Sequence, residues 1–199
     1  MMLWLRHVRA LPALGGAVVA AVVIRLLIAS YLEGDGSQVL QAPVWVAMVF
    51  VMPVMMLFTT EDAWDRTAVR STVLRRAALL GVTVGVAAVV SFACFPGNLT
   101  DLGALAMLRN VSALLGFGLL TLTVVPRWAG WVLPFMVGMA ASMFMDPWPL
   151  TTSTTVLYAL AMPGGLTLWD GSPDLSWWIC LVVFVLGAAS WLYRWRVPT

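Results

Sequence analysis

The sequence predicts an all-α membrane protein of six spanning helices with both termini on the cytoplasmic side, and three observations predict it. The chain is 62% hydrophobic and only 10% charged, whereas a water-soluble domain is about half apolar and about a quarter charged. Apolar runs approaching or exceeding 18 residues recur along the 199-residue chain, the length that a hydrocarbon core of ~30 Å demands of a helix. The arginines, finally, fall on one side of the pattern these runs create.

The first span is expected over about 11–32. Arg6 and Arg9 precede it as they would in a signal peptide, but Arg25 interrupts the run. Tyr31-Leu32-Glu33 follow it with no small-x-small cleavage site, so it reads as a permanent span. Span two is expected over about 42–58, span three over about 77–95 and span four over about 104–125. Span five is expected over about 128–145 and span six over about 177–193. Pro53 and Pro134 are expected to kink spans two and five. Gly81-x-x-x-Gly85 has the spacing of a small-residue helix contact, and Gly116, Gly118, Gly138, Ala140 and Ala141 allow close backbone approach in spans four and five. Together they suit a packed bundle, alone or as a dimer.

The stretch between spans five and six differs. Asp146-Pro147-Trp148-Pro149 breaks the helix, Thr151 to Thr155 supply hydroxyls, and a short apolar run from Val156 to Met162 ends at Pro163-Gly164-Gly165. The 151–163 segment is too short to cross a bilayer. It reads either as a re-entrant or interfacial helix capped by Thr151 or Ser153, or as an ordinary extramembrane loop.

Charge assigns the sides. Arg6, Arg9, Arg66, Arg70, Arg75, Arg76, Arg127, Arg194 and Arg196 all fall in termini or loops on one side, which the positive-inside rule makes cytoplasmic. The opposite loops carry Glu33, Asp35, Asp101, Asp146, Asp170 and Asp174 and no arginine. An odd number of spans would separate the two arginine-bearing termini. Trp148, Trp169, Trp177 and Trp178 on the outer side, and Trp4, Trp128, Trp191 and Trp195 on the inner, suit aromatic belts.

Most chemistries find no residues here. The lone histidine, His7, lies in the leader, and Cys94 and Cys180 are far apart in apolar runs, so neither haem nor zinc has a usual ligand set. No span holds a histidine for a Ser/His protease or a carboxylate for a proton relay. Without a lysine there is no Walker-type phosphate loop. The net charge of +2 is too small to suggest nucleic acid as a partner. No catalytic residue, metal site or cofactor is expected. A lipid-acting enzyme would need an interfacial acidic or His cluster, and Asp146, Asp170 and Asp174 show no recognised spacing.

Two charges do sit inside spans, Arg25 in span one and Arg109, followed by Asn110, in span four. A charge at the bilayer centre costs at least ~2.5 kcal/mol, so each needs a partner or a purpose. Glu33 and Asp101 each lie eight residues away, about two helical turns, within snorkelling or pairing distance. The other reading is that Arg25, Arg109 and Asn110 line a polar pathway and meet an anionic group of a substrate or lipid.

The segment 59–76 is the most structured of the loops by pattern. Thr59 or Thr60 can cap a short helix with Glu61, Asp62 and Asp65 near its positive end. Asp62, Arg66 and Arg70 form one charged stripe at four-residue spacing, and Trp64 offers an apolar anchor beside it. Ser71 or Thr72 can cap the next helix. The element reads equally as a docking knob for a cytoplasmic partner and as a connector whose arginines only set topology.

This layout resembles the permease subunit of bacterial ABC-2 type exporters, and the run Arg109-Asn110-Val-Ser-Ala-Leu-Leu-Gly-Phe-Gly-Leu-Leu is similar to short actinobacterial members. The resemblance implies a coupling helix at Glu61 to Arg70 and re-entrant short helices at Thr151 to Pro163. It implies a separate ABC ATPase subunit, contacted by Glu61, Asp62, Trp64, Asp65, Arg66 and Arg70. A second permease copy or a homologous permease would complete the pathway in the membrane lipid. The implied activity is ATP-driven export of a hydrophobic or peptide-like substrate, with hydrolysis by the partner. A non-transporting membrane scaffold or immunity protein is the alternative.

Overall fold

The computed structural model describes residues 10–31, 42–59, 72–95, 102–125, 129–143 and 175–193, and these form six α-helices with no strand among them. They are α1 (Ala10–Tyr31), α2 (Ala42–Thr59), α3 (Thr72–Cys94), α4 (Leu102–Val124), α5 (Val132–Met143) and α6 (Leu175–Tyr193). The sequence-based spans fall on these helices, with two shifts. Helix α3 starts at Thr72 rather than at 77, which takes Arg75 and Arg76 into its first turns. Backbone hydrogen bonding, once nucleated, propagates past the point where hydrophobicity ends. Helix α5 is described over 12 residues and is preceded by a turn at 129–131, so it begins later than the expected 128, while 144 and 145 lie outside the described residues.

Two helical stretches, Val73–Cys94 and Ala104–Val124, are long and apolar enough to cross a membrane. The apolar stretches Leu11–Leu27, Trp45–Phe58 and Trp177–Tyr193 of α1, α2 and α6 are shorter. The all-helical class and six helices are therefore found, with two of them meeting the spanning criterion.

Helix α4 is the hub. It packs extensively against α2, α3, α5 and α6, most of all α6. Around it, α5 packs on α2, α2 on α1, α1 on α3 and α3 on α6. The central place suits the composition of α4, because a helix surrounded on many sides needs small residues: Ala104, Ala106, Ala113, Gly116 and Gly118 are all buried. Its hydroxyls turn inward on their own backbone. Ser112 Oγ donates to the Leu108 carbonyl at 2.8 Å and Thr121 Oγ1 to that of Phe117 at 2.7 Å, so neither needs water.

The glycines sort into two groups. A Cβ on Gly116 would lie 2.7 Å from backbone atoms of Val183 and Phe184, and one on Gly187 would strike the Gly116 carbonyl, so α4 and α6 touch backbone to backbone here. Gly118 and Gly138 accommodate the side chains of Met55 and Met48. At Gly81 and Gly85 a Cβ would meet nothing within 4 Å. The expected Gly81-x-x-x-Gly85 contact is thus absent within the chain among the described residues. The spacing places both glycines on one face, but that face of α3 points outward. Pro53 lies inside α2. Pro134, expected to kink its span, is the third residue of α5, in the first turn, where a missing N–H breaks no intrahelical bond.

The described helices are apolar outside as well as in their core. Large apolar side chains cover the outside, among them Leu26 on α1, Leu74 and Val89 on α3, and Val182 and Leu186 on α6. The interior holds Arg76, Arg109 and Asn110 beside Thr83, Ser91 and Thr121. Fully buried arginines are rare unless paired.

Candidate functional site

Arg109 is the eighth residue of α4, about 10 Å along the hub helix from its start. Its side chain is 0% exposed and that of Asn110 is 1% exposed. Arg109 Nε and Nη2 donate to Asn110 Oδ1 at 3.4 and 3.3 Å. These are long bonds to a neutral acceptor, weaker than a carboxylate would provide. Asn110 Nδ2 is buried without a hydrogen-bond partner, as is Thr83 Oγ1 on α3. A buried amide N–H left unsatisfied costs about 1–3 kcal/mol. The buried Asn110 amide nitrogen is therefore an unfilled donor beside Arg109, a place that favours a carbonyl or other acceptor group.

Arg25 of α1 lies beside the end of α3. Its Nε donates to the carbonyl of Cys94, the last residue of α3, at 3.1 Å, and its guanidinium lies 5.1 Å from the Phe95 ring centroid. The last carbonyls of a helix lack intrahelical donors and carry the negative end of the helix dipole. Arg25 thus acts as a C-cap supplied by a neighbouring helix, with a cation–π contact added. Glu33, its expected pairing partner, lies outside the described residues.

Arg76 repeats the device at the opposite end of the bundle. Its Nη1 donates to the Trp191 carbonyl in the last turn of α6 at 3.1 Å, and its guanidinium lies 4.9 Å from the Trp191 ring centroid. Phe58, near the end of α2, meets the same indole edge-to-face at 4.9 Å. Arg76, Phe58 and Trp191 are all buried. Sequence reading assigned Arg76 to topology and Trp191 to an aromatic belt. The available signal was an arginine one turn inside a helix, which says that a partner is needed without saying which helix supplies it.

The expected ATPase-contacting residues Glu61, Asp62, Trp64, Asp65, Arg66 and Arg70 lie outside the described residues, as do His7, Asp101, Asp146, Asp170, Asp174 and the 151–163 segment. Cys94 and Cys180 are free and buried, matching their reading as small apolar side chains. A narrow apolar crevice lies between α2, α4 and α5, lined by Met48, Met52, Met55, Leu114 and Phe135 among others. It is too narrow to hold a water molecule. No family model, curated protein or solved structure matches this chain.

Proposed function

We propose that the chain is the transmembrane permease subunit of an ATP-driven exporter of the ABC-2 type. It would be a multi-pass protein of the bacterial cytoplasmic membrane, working with a separate ATPase subunit and a second permease. The observation that carries this reading is an apolar exterior around a core that holds a buried arginine. Apolar side chains cover the outside, which suits lipid, while the hub helix presents a buried Arg109 beside an unpartnered Asn110 amide. Intramembrane cations on an interior face mark substrate or ion pathways by default. No carboxylate lies in the described helices, so their interior suits a hydrophobic or peptide-like substrate with an anionic or carbonyl group better than a cation or proton. Energy must come from another chain, since a Walker lysine is missing from the sequence.

The test is purification from native membranes in mild detergent. A nucleotide-hydrolysing partner should co-purify, and R66E/R70E should release it. Retention of the partner by R66E/R70E would remove the coupling role of 59–76. Recovery of the wild-type chain with no such partner would favour the scaffold reading, which the tight burial of Arg109 already suits.

A further inference from the structure

We propose that Arg25, with the apolar seam between α1 and α3, binds one anionic phospholipid, its guanidinium on the phosphodiester and an acyl chain along the seam. The site rests on the membrane part of the reading above and on nothing further in the exporter assignment.

The apolar stretch Val73–Cys94 of α3 has 22 residues, so it is about 33 Å long, close to the ~30 Å of a bilayer's hydrocarbon core. Its last residue therefore lies where hydrocarbon gives way to headgroups. Arg25 Nε is bonded to the carbonyl of that residue at 3.1 Å, so the guanidinium lies at the same level. Phospholipid phosphates are the anions of that layer.

Of the five N–H donors of a guanidinium, Arg25 spends the one on Nε, and its Nη groups meet no acceptor among the described residues. Arg25 is only half-buried, whereas Arg76 at the other end of the bundle is buried with Nη1 on the Trp191 carbonyl. A phosphodiester presents two oxygens that match the guanidinium fork. The Cys94 bond and the Phe95 ring already hold the fork in place, so little side-chain freedom is lost when it binds.

Arg25 and Phe95 are both late in their helices and meet each other, so α1 and α3 run in the same direction. One turn earlier on each, toward the membrane centre, lie Val22 and Phe92, and both are exposed. Val89, a further turn along α3, is exposed too. A cation at the headgroup level above a strip of exposed apolar side chains fits an amphiphile. A free anion would leave the strip unused, and an apolar molecule would leave the Nη donors unfilled.

The test is native mass spectrometry of the full-length chain released from nanodiscs holding equal palmitoyl-oleoyl phosphatidylglycerol and phosphatidylcholine. The wild type should retain one phosphatidylglycerol about tenfold over phosphatidylcholine, whose choline competes for the phosphate. R25Q should lose the preference and R25K should keep part of it. Because R25Q also loses the Cys94 bond, V22E is the second variant. It leaves that bond in place, sets a carboxylate one turn from the guanidinium and should lose the preference as well. Full retention by V22E would show that Arg25 acts only through the helix end, and would overturn the site. Retention that rises about tenfold in E33Q would show Glu33 on the Nη groups, with the same consequence. Glycerol phosphate at the lipid's concentration should displace nothing; displacement would make this a free-phosphate site and overturn the role of the seam. A wild type that enters nanodiscs without preferring phosphatidylglycerol overturns the site alone. Recovery of the wild type from the soluble fraction of cells would remove the membrane reading and the site with it.

Discussion

Replacing Gly116 by alanine should destabilise the bundle, whereas the same change at Gly85 should not. The Cβ on residue 116 arrives 2.7 Å from the Phe184 Cα and N and the Val183 carbonyl carbon. Carbon contacts are optimal at about 3.5–4.0 Å, so α4 and α6 must part by about 1 Å, which forfeits a quarter to a half of each facing pair's attraction. The obstructing atoms are backbone and cannot rotate away, so the cost should fall in the upper part of the ~1–3 kcal/mol range for overpacking. At Gly85 a Cβ meets nothing, leaving only the helix-propensity gain of about 0.5–1 kcal/mol. A chain of this size shifts its midpoint by about 2–4 °C per kcal/mol, so G116A should melt about 4–12 °C lower and G85A at or slightly above wild type. Cys94 and Cys180 are free and buried, so a thiol-reactive dye in detergent reports unfolding directly. If G116A melts with wild type, or G85A falls as far as G116A, the α4–α6 contact is misassigned and the sequence motif on α3 is the real seam.

Three further outcomes follow from the buried polar groups. Thr83→Val removes a hydroxyl that has no partner at nearly constant shape, and should raise the melting midpoint by the equivalent of about 1 kcal/mol; a drop would show that Thr83 has a ligand in the membrane. Asn110→Leu removes one acceptor of Arg109, at 3.3 Å, and should cost about 1–3 kcal/mol. Asn110→Asp replaces the unpartnered amide nitrogen with an oxygen that pairs with the guanidinium, so it should melt at or above wild type, and the opposite order in the same assay would refute the pairing. Arg25→Gln should destabilise by about 1–2 kcal/mol through loss of the Cys94 carbonyl bond and the Phe95 contact, with faster hydrogen exchange confined to the last turn of α3.

The helices were legible because their signal is local. A run such as Ala104 to Val125 must be helical in lipid whatever its neighbours, since only a helix satisfies its own backbone there. The expectation that arginines inside helices need partners was legible for the same reason. The charge is costly on its own account. The boundaries at Arg75 and Arg76 were less so, because helix bonding and hydrophobicity end at different residues.

What the sequence determined by itself is therefore the helical, apolar character of each described segment and the need of its intrahelical arginines for partners. Only the tertiary structure decided which glycines touch, that Arg25 caps α3 and Arg76 caps α6, and that α4 sits at the centre. Gly81 and Gly85 carry the better contact spacing, yet Gly116 and Gly187 make the contact. Helical periodicity fixes which residues share a face but not which helix that face meets. That choice belongs to the packing of all six helices at once, a sum of small contacts between residues far apart in the chain.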